Sequence, residues 1–217
     1  GYTYLETLDR EGLEAVAELV PDGPSTQRLI EIAREIGISI GAGLIERDGD
    51  ELYNTFAVVS PDGLVAKHRK IHAFVNDALS CGSGYTVFDH LGCRIGILIC
   101  YDNNLPENAR MTAMLGADLI LAPHVTGCLP SAMPGRGIVA PEIWRNRELD
   151  GPKGRGWLMR WLPTRAWENG VFVVYANPIG EEGGTIKPGG SLILDPFGEE
   201  LTECRTFEDE VVVATLD

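Results

Sequence analysis

Cys100 stands at the end of an apolar run that begins at Arg94, and Pro106 opens a helical pattern a few residues later. This order predicts a strand-to-helix elbow, a turn that can expose a nucleophile at the carboxyl end of a strand. The positive end of a helix also favours the thiolate, which is the reactive form of cysteine. A buried cysteine without a chemical role fits the same spacing, because free cysteines are among the most buried residues.

A basic cluster, Lys67-His68-Arg69-Lys70-Ile71-His72, closes a predicted strand in a strongly acidic chain. Its position near a sheet end allows a role in a site, whereas exposed lysines and arginines usually form a solvated charged surface. Two later segments are less specific. Arg165–Asn177 resembles a helix end that feeds a buried strand, and Gly189–Gly198 a strand that ends in a Pro–Gly turn.

The elements that must position these residues are predicted from the spacing of apolar residues. This spacing follows the helical period in some segments and the strand period in others. Helices are predicted at 7–19, 26–36, 106–115 and 157–169, and strands at 38–44, 52–59, 64–69, 85–89, 94–100, 118–123, 171–177, 191–195 and 211–216. The first three strands form a predicted antiparallel meander. Residues 127–156 are rich in Gly, Pro and Arg and are predicted to form an ordered insertion loop that covers a pocket mouth. The order favours one α/β domain over residues 1–217.

Composition excludes several classes of protein. The 217 residues, 44% of them hydrophobic, can bury a substantial core. Thirty-two acidic against 18 basic residues give a net charge of -14, which argues against binding to nucleic acid or to an anionic membrane. No run of about 18 apolar residues predicts a transmembrane helix. Five cysteines without CxxC spacing favour a reducing, cytoplasmic location, and the four histidines have no zinc-site spacing, so we predict no metal.

Together, these motifs resemble those of the nitrilase, or carbon-nitrogen hydrolase, superfamily. The matching segments follow the order of the family and cover nearly the whole chain: GLIERDGDELYNTFAVVSPDG, KHRKIHAF, RIGILICYDNNLPENAR, GADLILAP, RAWENGVFVVYANPIG and GGSLILDPFGE. The resemblance implies a four-layer α-β-β-α sandwich and a Glu-Lys-Cys catalytic triad that needs no cofactor.

The resemblance assigns the nucleophile to Cys100 and the triad lysine to Lys70, and it implies that the backbone N–H of Tyr101 stabilises the oxyanion. The glutamate of the family is expected in a Pro-Glu motif that precedes the first residue. The 217 residues alone are therefore expected to lack their general base and to be inactive. Glu6 and Glu46 do not match the place of that glutamate.

Substrate contacts are predicted from the same comparison. Relatives that cleave N-carbamoyl amino acids often have arginines just after the cysteine, where this chain has Asp102-Asn103-Asn104. A carboxylate clamp is therefore not expected there. Asn103 and Asn104 are predicted either to bind a neutral polar group or to cap a helix. His124 is predicted to line the pocket, with a structural histidine as the alternative, and Asp77 takes the place of the second acidic residue of the family.

The predicted function is hydrolysis of a carbon–nitrogen bond in a small linear amide or N-carbamoyl amide, through a thioester. A true nitrilase and a non-catalytic relative that serves as a binding module are the alternatives. The resemblance also implies a homodimer or higher homo-oligomer. A tryptophan-bearing helix in the region 157–177 supports that expectation, because its aromatic surface exceeds what one sheet covers.

Overall fold

A computed structural model describes residues 8–126, 155–182, 185–206 and 208–217 of the chain. The helices of these segments are α1 (Arg10–Val16), α2 (Pro24–Ile36), α3 (Pro106–Met114), α4 (Arg155–Leu158) and α5 (Leu162–Trp167). The strands are β1 (Ile40–Asp48), β2 (Glu51–Ser60), β3 (Gly63–Arg69), β4 (Thr86–His90), β5 (Cys93–Ile97), β6 (Leu119–Pro123), β7 (Phe172–Ala176), β8 (Ile179–Glu182), β9 (Thr185–Pro188), β10 (Leu192–Leu194) and β11 (Glu200–Glu203). A 3₁₀ helix, Cys100–Asn104, links β5 to α3 and is called the Cys100 turn below.

Two sheets form the centre of the fold. The first has the order β1-β2-β3 and is antiparallel throughout, as the predicted meander requires. The second has the order β11-β10-β7-β6-β5-β4. Its central strands β5, β6 and β7 are parallel, and antiparallel strands flank them on both sides. Strands β8 and β9 form a separate hairpin.

The hydrophobic clusters show how these elements are layered. Helix α2 covers one face of the first sheet, where Ile30 packs against Val59. Val58, the next residue along β2, has its side chain on the opposite face and packs against Ile97 of the second sheet. Helices α3 and α5 cover the far side of the second sheet, in a cluster that includes Leu162. The order helix, sheet, sheet, helix is the predicted four-layer α-β-β-α sandwich, which is confirmed.

The prediction of one continuous helix at 157–169 is wrong. The structure has two short helices there, α4 and α5, separated by a turn at residues 159–161. Pro163 explains the break, because proline has no N–H to bond to the preceding turn and its ring clashes with that turn. Proline is tolerated in the first turn of a helix, which is where Pro163 lies in α5.

The predicted strand at 211–216 is also wrong. This segment pairs with no described strand, and Val211 and Val213 are 88% and 83% exposed. Five of the six residues are apolar, but an apolar run does not by itself supply a partner strand. The hairpin β8–β9 and the polar edge strand β11 were not predicted, because neither has the apolar alternation of a half-buried strand.

The predicted strand at 94–100 ends earlier than expected, since β5 stops at Ile97. The other predicted elements are present, with bounds shifted by up to about four residues. The insertion loop at 127–156 lies outside the described residues, except that α4 begins at Arg155. In the described segments, the helices are too short or too polar to cross a bilayer.

Candidate active site

Cys100 lies at the elbow between β5 and α3, in the left-handed backbone conformation with φ 52°. A residue with a Cβ adopts this conformation at a cost of about 1–3 kcal/mol, so the surrounding structure must impose it. Leu98 N–H still bonds to Leu121 O of β6 at 3.0 Å, and Asp102 N–H bonds to Ile99 O at 3.1 Å. The chain therefore stays in register with the sheet and then reverses sharply. This places Cys100 at the carboxyl end of the parallel strands, as the sequence predicts.

Lys70 reaches the same elbow from the end of β3. Its side chain is buried, and its ammonium group donates a hydrogen bond of 2.6 Å to the carbonyl of Ile99, the residue before Cys100. Backbone bonds to Asn54 and Gly82 fix the main chain of Lys70, both at 2.8 Å. The structure therefore brings the two residues that carry the resemblance into one site.

Asp102 connects the two segments and was not assigned a role from the sequence. Its carboxylate is fully buried and accepts the backbone N–H groups of Ile71 at 3.1 Å and His72 at 3.0 Å. These residues directly follow Lys70, so Asp102 ties the lysine segment to the Cys100 turn. The sequence signal was an aspartate beside an apolar strand, where a charge is costly unless several donors satisfy it.

His124 follows β6 and is buried beside Cys100. Its Nδ1 lies 3.0 Å from the Thr126 hydroxyl, and its Nε2 lies 3.1 Å from the amide nitrogen of Asn103. The ring centroid is 4.7 Å from that of Tyr175 and 6.0 Å from that of Trp161. The histidine predicted to line the pocket is therefore buried at the elbow, where it lowers the pKa of the candidate nucleophile.

The surroundings of Cys100 favour its thiolate. Burial alone would raise the pKa of the thiol, but the charge and hydrogen bond of His124, the charge of Lys70 and the backbone N–H of Val125 lower it to about 6. A thiol with this pKa is largely ionised at neutral pH. By contrast, burial and the nearby Asp118 raise the pKa of the Cys93 thiol.

Asn103 is buried, and the structure engages its side chain within the protein. The amide nitrogen donates to Leu98 O at 2.6 Å and to Cys100 O at 3.3 Å, and it lies 3.1 Å from Nε2 of His124. These contacts position the elbow and the histidine. The alternative prediction, a simple helix cap, does not describe them.

Asn104 lies at the end of the Cys100 turn. Its Oδ1 is buried and has no hydrogen-bond partner within the described part of the chain. The guanidinium of Arg165 bonds to the main-chain oxygens of both Asn103 and Asn104, at 3.2 and 3.0 Å. Helix α5 thus holds the carbonyl end of this turn.

Tyr101 and Asp77 lie on the open side of the elbow. The ring of Tyr101 makes an edge-on contact with Phe74, with centroids 4.8 Å apart, and Phe74 is 62% exposed. Asp77, three residues after Phe74, is exposed in a turn, and its side chain makes no hydrogen bond or ion pair with a described residue. The structure brings the segment of Asp77 over the Cys100 turn through this aromatic contact.

Glu46 is buried in the first sheet in an ion cluster that spans three strands. Its carboxylate accepts bonds from Thr55 at 2.7 Å, from Arg69 at 2.7 and 2.9 Å, and from Lys67. Burial would raise its pKa, but these donors hold it at about 2. These partners all lie in the first sheet, so the contacts of Glu46 hold the strands of that sheet together. Glu6 lies outside the described residues.

Other potential ligands and cross-links are few in the described segments. Within them, no group of three or more His, Cys, Asp or Glu side chains is arranged to hold a metal ion. The described cysteines, Cys81, Cys93, Cys100 and Cys204, are free thiols. Cys128 lies outside the described residues.

Comparison with known proteins gives a consistent result. The family model for carbon-nitrogen hydrolases matches residues 3–217. A nitrilase from Pyrococcus abyssi is 36% identical over 220 residues, which cover 100% of this chain and 72% of that protein. The omega-amidase NIT2 from Homo sapiens is 35% identical over 215 residues, covering 93% of this chain and 69% of that protein.

Solved structures agree with the sequence comparison. A mutant of the amidase from Nesterenkonia sp. AN1, with the acetamide moiety of fluoroacetamide covalently added at its active-site cysteine, matches with a TM-score of 0.67 and 26% identity over 93% of this chain and 68% of that one. Another mutant of that amidase, in complex with butyramide, also matches with a TM-score of 0.67 and 26% identity, over 93% and 69% of the two chains. The match along the whole sequence and the shared architecture lead to one conclusion: the chain belongs to the carbon-nitrogen hydrolase family and is a hydrolytic enzyme.

Proposed function

We propose that this enzyme hydrolyses the carbon–nitrogen bond of a small linear amide or N-carbamoyl amide, with Cys100 as nucleophile and a thioester intermediate. The proposal rests on one observation, the hydrogen bond between the Lys70 side chain and the backbone of the elbow. The Lys70 ammonium lies 2.6 Å from the carbonyl oxygen of Ile99, directly before Cys100. A cation bonded to the residue before a low-pKa thiol supports both formation of the nucleophile and stabilisation of an anion on the substrate.

The proposed reaction has two stages. The Cys100 thiolate attacks the amide carbon, and the charge that develops on the substrate oxygen is stabilised by the Lys70 ammonium and the backbone N–H of Tyr101. The carbon–nitrogen bond breaks as the leaving nitrogen takes up the proton that the Cys100 thiol lost on ionisation, and water then hydrolyses the thioester to the acid and the free thiol. We assign none of the 217 residues to the glutamate that the resemblance implies.

The proposed substrate class is based on the small amides that are bound to the matching amidase mutants. Butyramide is the ligand of one matching amidase mutant, and the acetamide moiety is bound to the cysteine of another. Asn103 is now proposed as a positioning residue, because its amide nitrogen already serves protein acceptors. Asp77 and Asn104 remain proposed substrate contacts, Asp77 because it is exposed on the segment that packs over the Cys100 turn through Phe74.

A nitrilase activity is the second candidate, and the 36% identity to the Pyrococcus abyssi nitrilase favours it. The two reactions differ in substrate and share the thioester. Paired amides and nitriles of equal chain length therefore separate them, with release of ammonia and of the carboxylic acid as the readouts.

The test compares wild type with Cys100→Ala in the protein expressed from its complete gene. We expect the variant to lose all measurable ammonia release while its unfolding midpoint stays close to that of wild type. Cys93→Ala is the matched control, because it removes a half-buried thiol of raised pKa outside the elbow, and its activity should be unchanged. Turnover by Cys100→Ala would refute the assignment. A lack of turnover in wild type on every amide and nitrile would contradict the proposed substrate class.

We also propose a homo-oligomer, at least a dimer, in a reducing compartment such as the cytoplasm. Trp167 and Phe197 support the first part, because both are strongly exposed, at 66% and 76%. The free thiols of the described cysteines support the second. Light scattering at working concentration tests the oligomer, and a monomer would contradict it.

A further inference from the structure

Lys70 is tied to the Cys100 turn at two places, its ammonium group and its main chain. The ammonium donates to the carbonyl of Ile99 at 2.6 Å, and the backbone N–H of Asp102 donates to the same carbonyl at 3.1 Å. The carboxylate of Asp102 accepts the backbone N–H groups of the two residues that follow Lys70, at 3.1 and 3.0 Å. Asp102 therefore takes part in both connections.

The carboxylate of Asp102 is fully buried, and its side-chain hydrogen bonds within the described residues are the two from the lysine segment. A buried carboxylate costs stability unless donors satisfy it. These two donors are present only while the lysine segment lies against the turn. Movement of the segment would leave a buried charge without donors, so the charge itself resists that movement.

A second pair of side chains holds Asp102. The amide nitrogen of Asn108 donates to the backbone carbonyl of Asp102 at 2.9 Å, and the hydroxyl of Tyr85 donates to the amide oxygen of Asn108 at 3.0 Å. Asn108 lies in the first turn of α3 and is 3% exposed. Tyr85 directly precedes β4 and packs against the core of the second sheet. Hydrogen bonds therefore connect the start of β4, through α3, to the lysine segment.

The charges of Asp102 and Lys70 also act on one buried histidine. His68 lies two residues before Lys70 on β3, and its Nδ1 is 3.0 Å from the hydroxyl of Thr86 on β4. Burial lowers the pKa of His68 to about 4, while the charge of Asp102 opposes this shift and that of Lys70 adds to it. His68 therefore stays neutral at neutral pH, and the carboxylate and the ammonium both lie near it where the two sheets meet. From α5, the guanidinium of Arg165 is bound to carbonyls of the Cys100 turn.

We propose that Asp102 is a positioning residue that holds the Lys70 segment against the Cys100 turn, and that Asn108 and Tyr85 hold Asp102 in place. The proposal rests on the proposed function, in which Cys100 attacks the substrate and Lys70 stabilises the anion. Asp102 has no contact with the substrate in this scheme and acts through the position of Lys70. Its replacement should therefore lower kcat and leave KM nearly unchanged.

The first test compares two replacements of Asp102 in the protein expressed from its complete gene. Asp102→Asn keeps the shape and one acceptor oxygen, so kcat should fall about tenfold. Asp102→Leu keeps a similar volume without an acceptor, so kcat should fall about 10²-fold, the loss that follows displacement of a catalytic group by about 1 Å. KM should change less than about threefold in both variants.

Asp195→Asn is the matched control for these variants. The carboxylate of Asp195 also accepts two backbone N–H groups, at 2.8 and 2.9 Å. It lies in the turn between β10 and β11, and β10 runs antiparallel to β7, so this turn is at the end of the sheet opposite to the Cys100 turn. The kcat of Asp195→Asn should match that of wild type.

The second test measures hydrogen exchange by NMR and requires no turnover. In Asp102→Asn, at least one of the backbone N–H groups of Ile71 and His72 should exchange about tenfold faster than in wild type. The N–H of Leu98 bonds to the carbonyl of Leu121 within the second sheet and should exchange as in wild type. Unchanged exchange at Ile71 and His72, or equal acceleration at Leu98, would overturn the proposal, because the effect would then be absent or global.

The third test breaks the support of Asp102 without changing a charge. Asn108→Leu removes the donor to the Asp102 carbonyl, so the Lys70 ammonium should move away from the thiol. Because the charge of Lys70 lowers the pKa of the Cys100 thiol, the pH midpoint for alkylation of Cys100 by iodoacetamide should rise by about half a unit. Peptide mass spectrometry separates Cys100 from the other cysteines. An unchanged midpoint would show that Asn108 does not support the lysine through Asp102.

The outcomes separate this proposal from the proposed function. If wild type hydrolyses no amide or nitrile, yet exchange and alkylation change as expected, the proposed function fails and the positioning role stands. If wild type is active and the folded Asp102→Leu variant keeps its kcat, the positioning role fails and the proposed function stands. Should Asp102→Leu not fold, Asp102→Asn decides the same question, because it keeps the shape of the side chain.

Discussion

Burial works against a reactive Cys100, because an enclosed thiolate loses its hydration and burial alone raises the thiol pKa. Three groups overcome this cost: the imidazole of His124, the ammonium of Lys70 and the backbone N–H of Val125. Two of them are side chains from different sheets. The reactivity of one sulfur atom therefore depends on contacts that only the folded molecule assembles.

Lys70→Met is the variant that isolates the ammonium, since methionine fills a similar volume without a charge. We expect kcat to fall about 10²- to 10³-fold, as for loss of one group that stabilises the oxyanion. The alkylation midpoint of Cys100 should rise as well, because the positive charge lowers the thiol pKa. Steady-state kinetics and the pH profile of alkylation measure the two effects.

Lys67→Met is the control for this variant. Lys67 lies three positions earlier on β3 and bonds to Glu46, away from the elbow. Its replacement should cost stability without the drop in kcat. Equal losses of kcat in both variants would show that the charge at Lys70 has no special role.

The residue types at the elbow were predictable from the sequence, and Cys100, Lys70 and His124 do meet there. Their motifs combine a strand end with a reactive or charged side chain. The role of Asp102 was not predictable, because it depends on two backbone N–H groups of a segment 30 residues away. The contacts of Asn103 were hidden for the same reason. Spacing along the chain shows which residues are close to an element end, but it does not show which backbone groups they satisfy.

Among the elements, α5 has the clearest link to the Cys100 turn. The guanidinium of Arg165 bonds to the carbonyls of Asn103 and Asn104 and also to Glu168. The last carbonyls of a helical turn lack partners within it, so donors from elsewhere stabilise this end. The same helix contributes Leu162 to the core under the second sheet. Helix α5 therefore joins core packing to the geometry of the elbow.

Arg165→Met should destabilise the protein by about 2 kcal/mol, because two buried carbonyls lose charged donors. The turn should also loosen, so kcat should fall more than KM rises. Urea unfolding and steady-state kinetics measure these changes. Arg160→Met is the control, since Arg160 is an exposed arginine in the turn before α5. If Arg165→Met behaves like Arg160→Met, the helix does not hold the turn.

The sequence predicted most of the elements, and the errors have physical causes. The break between α4 and α5 follows from Pro163. A proline fits the first turn of a helix but not its interior, and the sequence pattern did not show that a new helix begins at Leu162. The wrong strand at 211–216 is an apolar run without a partner in the described chain, and an apolar run alone cannot show whether a sheet edge is available. The polar strand β11 has the opposite problem, since it pairs with β10 despite a sequence without an apolar face.

At the scale of the molecule, the site lies where the ends of the two sheets meet. Lys70 follows β3 of the first sheet, whereas Cys100 and His124 follow β5 and β6 of the second. Val58 and Ile97 pack between the sheets, and His68 of β3 lies 3.0 Å from the Thr86 hydroxyl of β4. Any change that shifts one sheet against the other separates the ammonium from the thiol. The stability of the first sheet is therefore a condition for activity.

The ion cluster around Glu46 ties the strands of that sheet together, since Glu46 lies on β1, Thr55 on β2, and Lys67 and Arg69 on β3. The folded pKa of Glu46, about 2, is below its ordinary value of 4.5. A carboxyl with a lowered folded pKa stabilises the protein above its unfolded pKa, and this contribution disappears as the pH falls through the folded pKa. The contribution is about 3 kcal/mol at neutral pH, and more than half of it is lost by about pH 3.

Glu46→Gln tests this account of acid stability. At neutral pH the variant should lose about 3 kcal/mol of unfolding free energy relative to wild type, and the difference should shrink steadily between pH 4.5 and pH 2 as the wild-type carboxyl is protonated. Urea unfolding at a series of pH values measures the difference, in which the titration of all other groups cancels. Glu31→Gln, which removes an exposed pair with Arg28 on α2, should change little at any pH. A difference for Glu46→Gln that stays constant from neutral pH to pH 3 would mean that its carboxyl is not the group whose protonation weakens the first sheet.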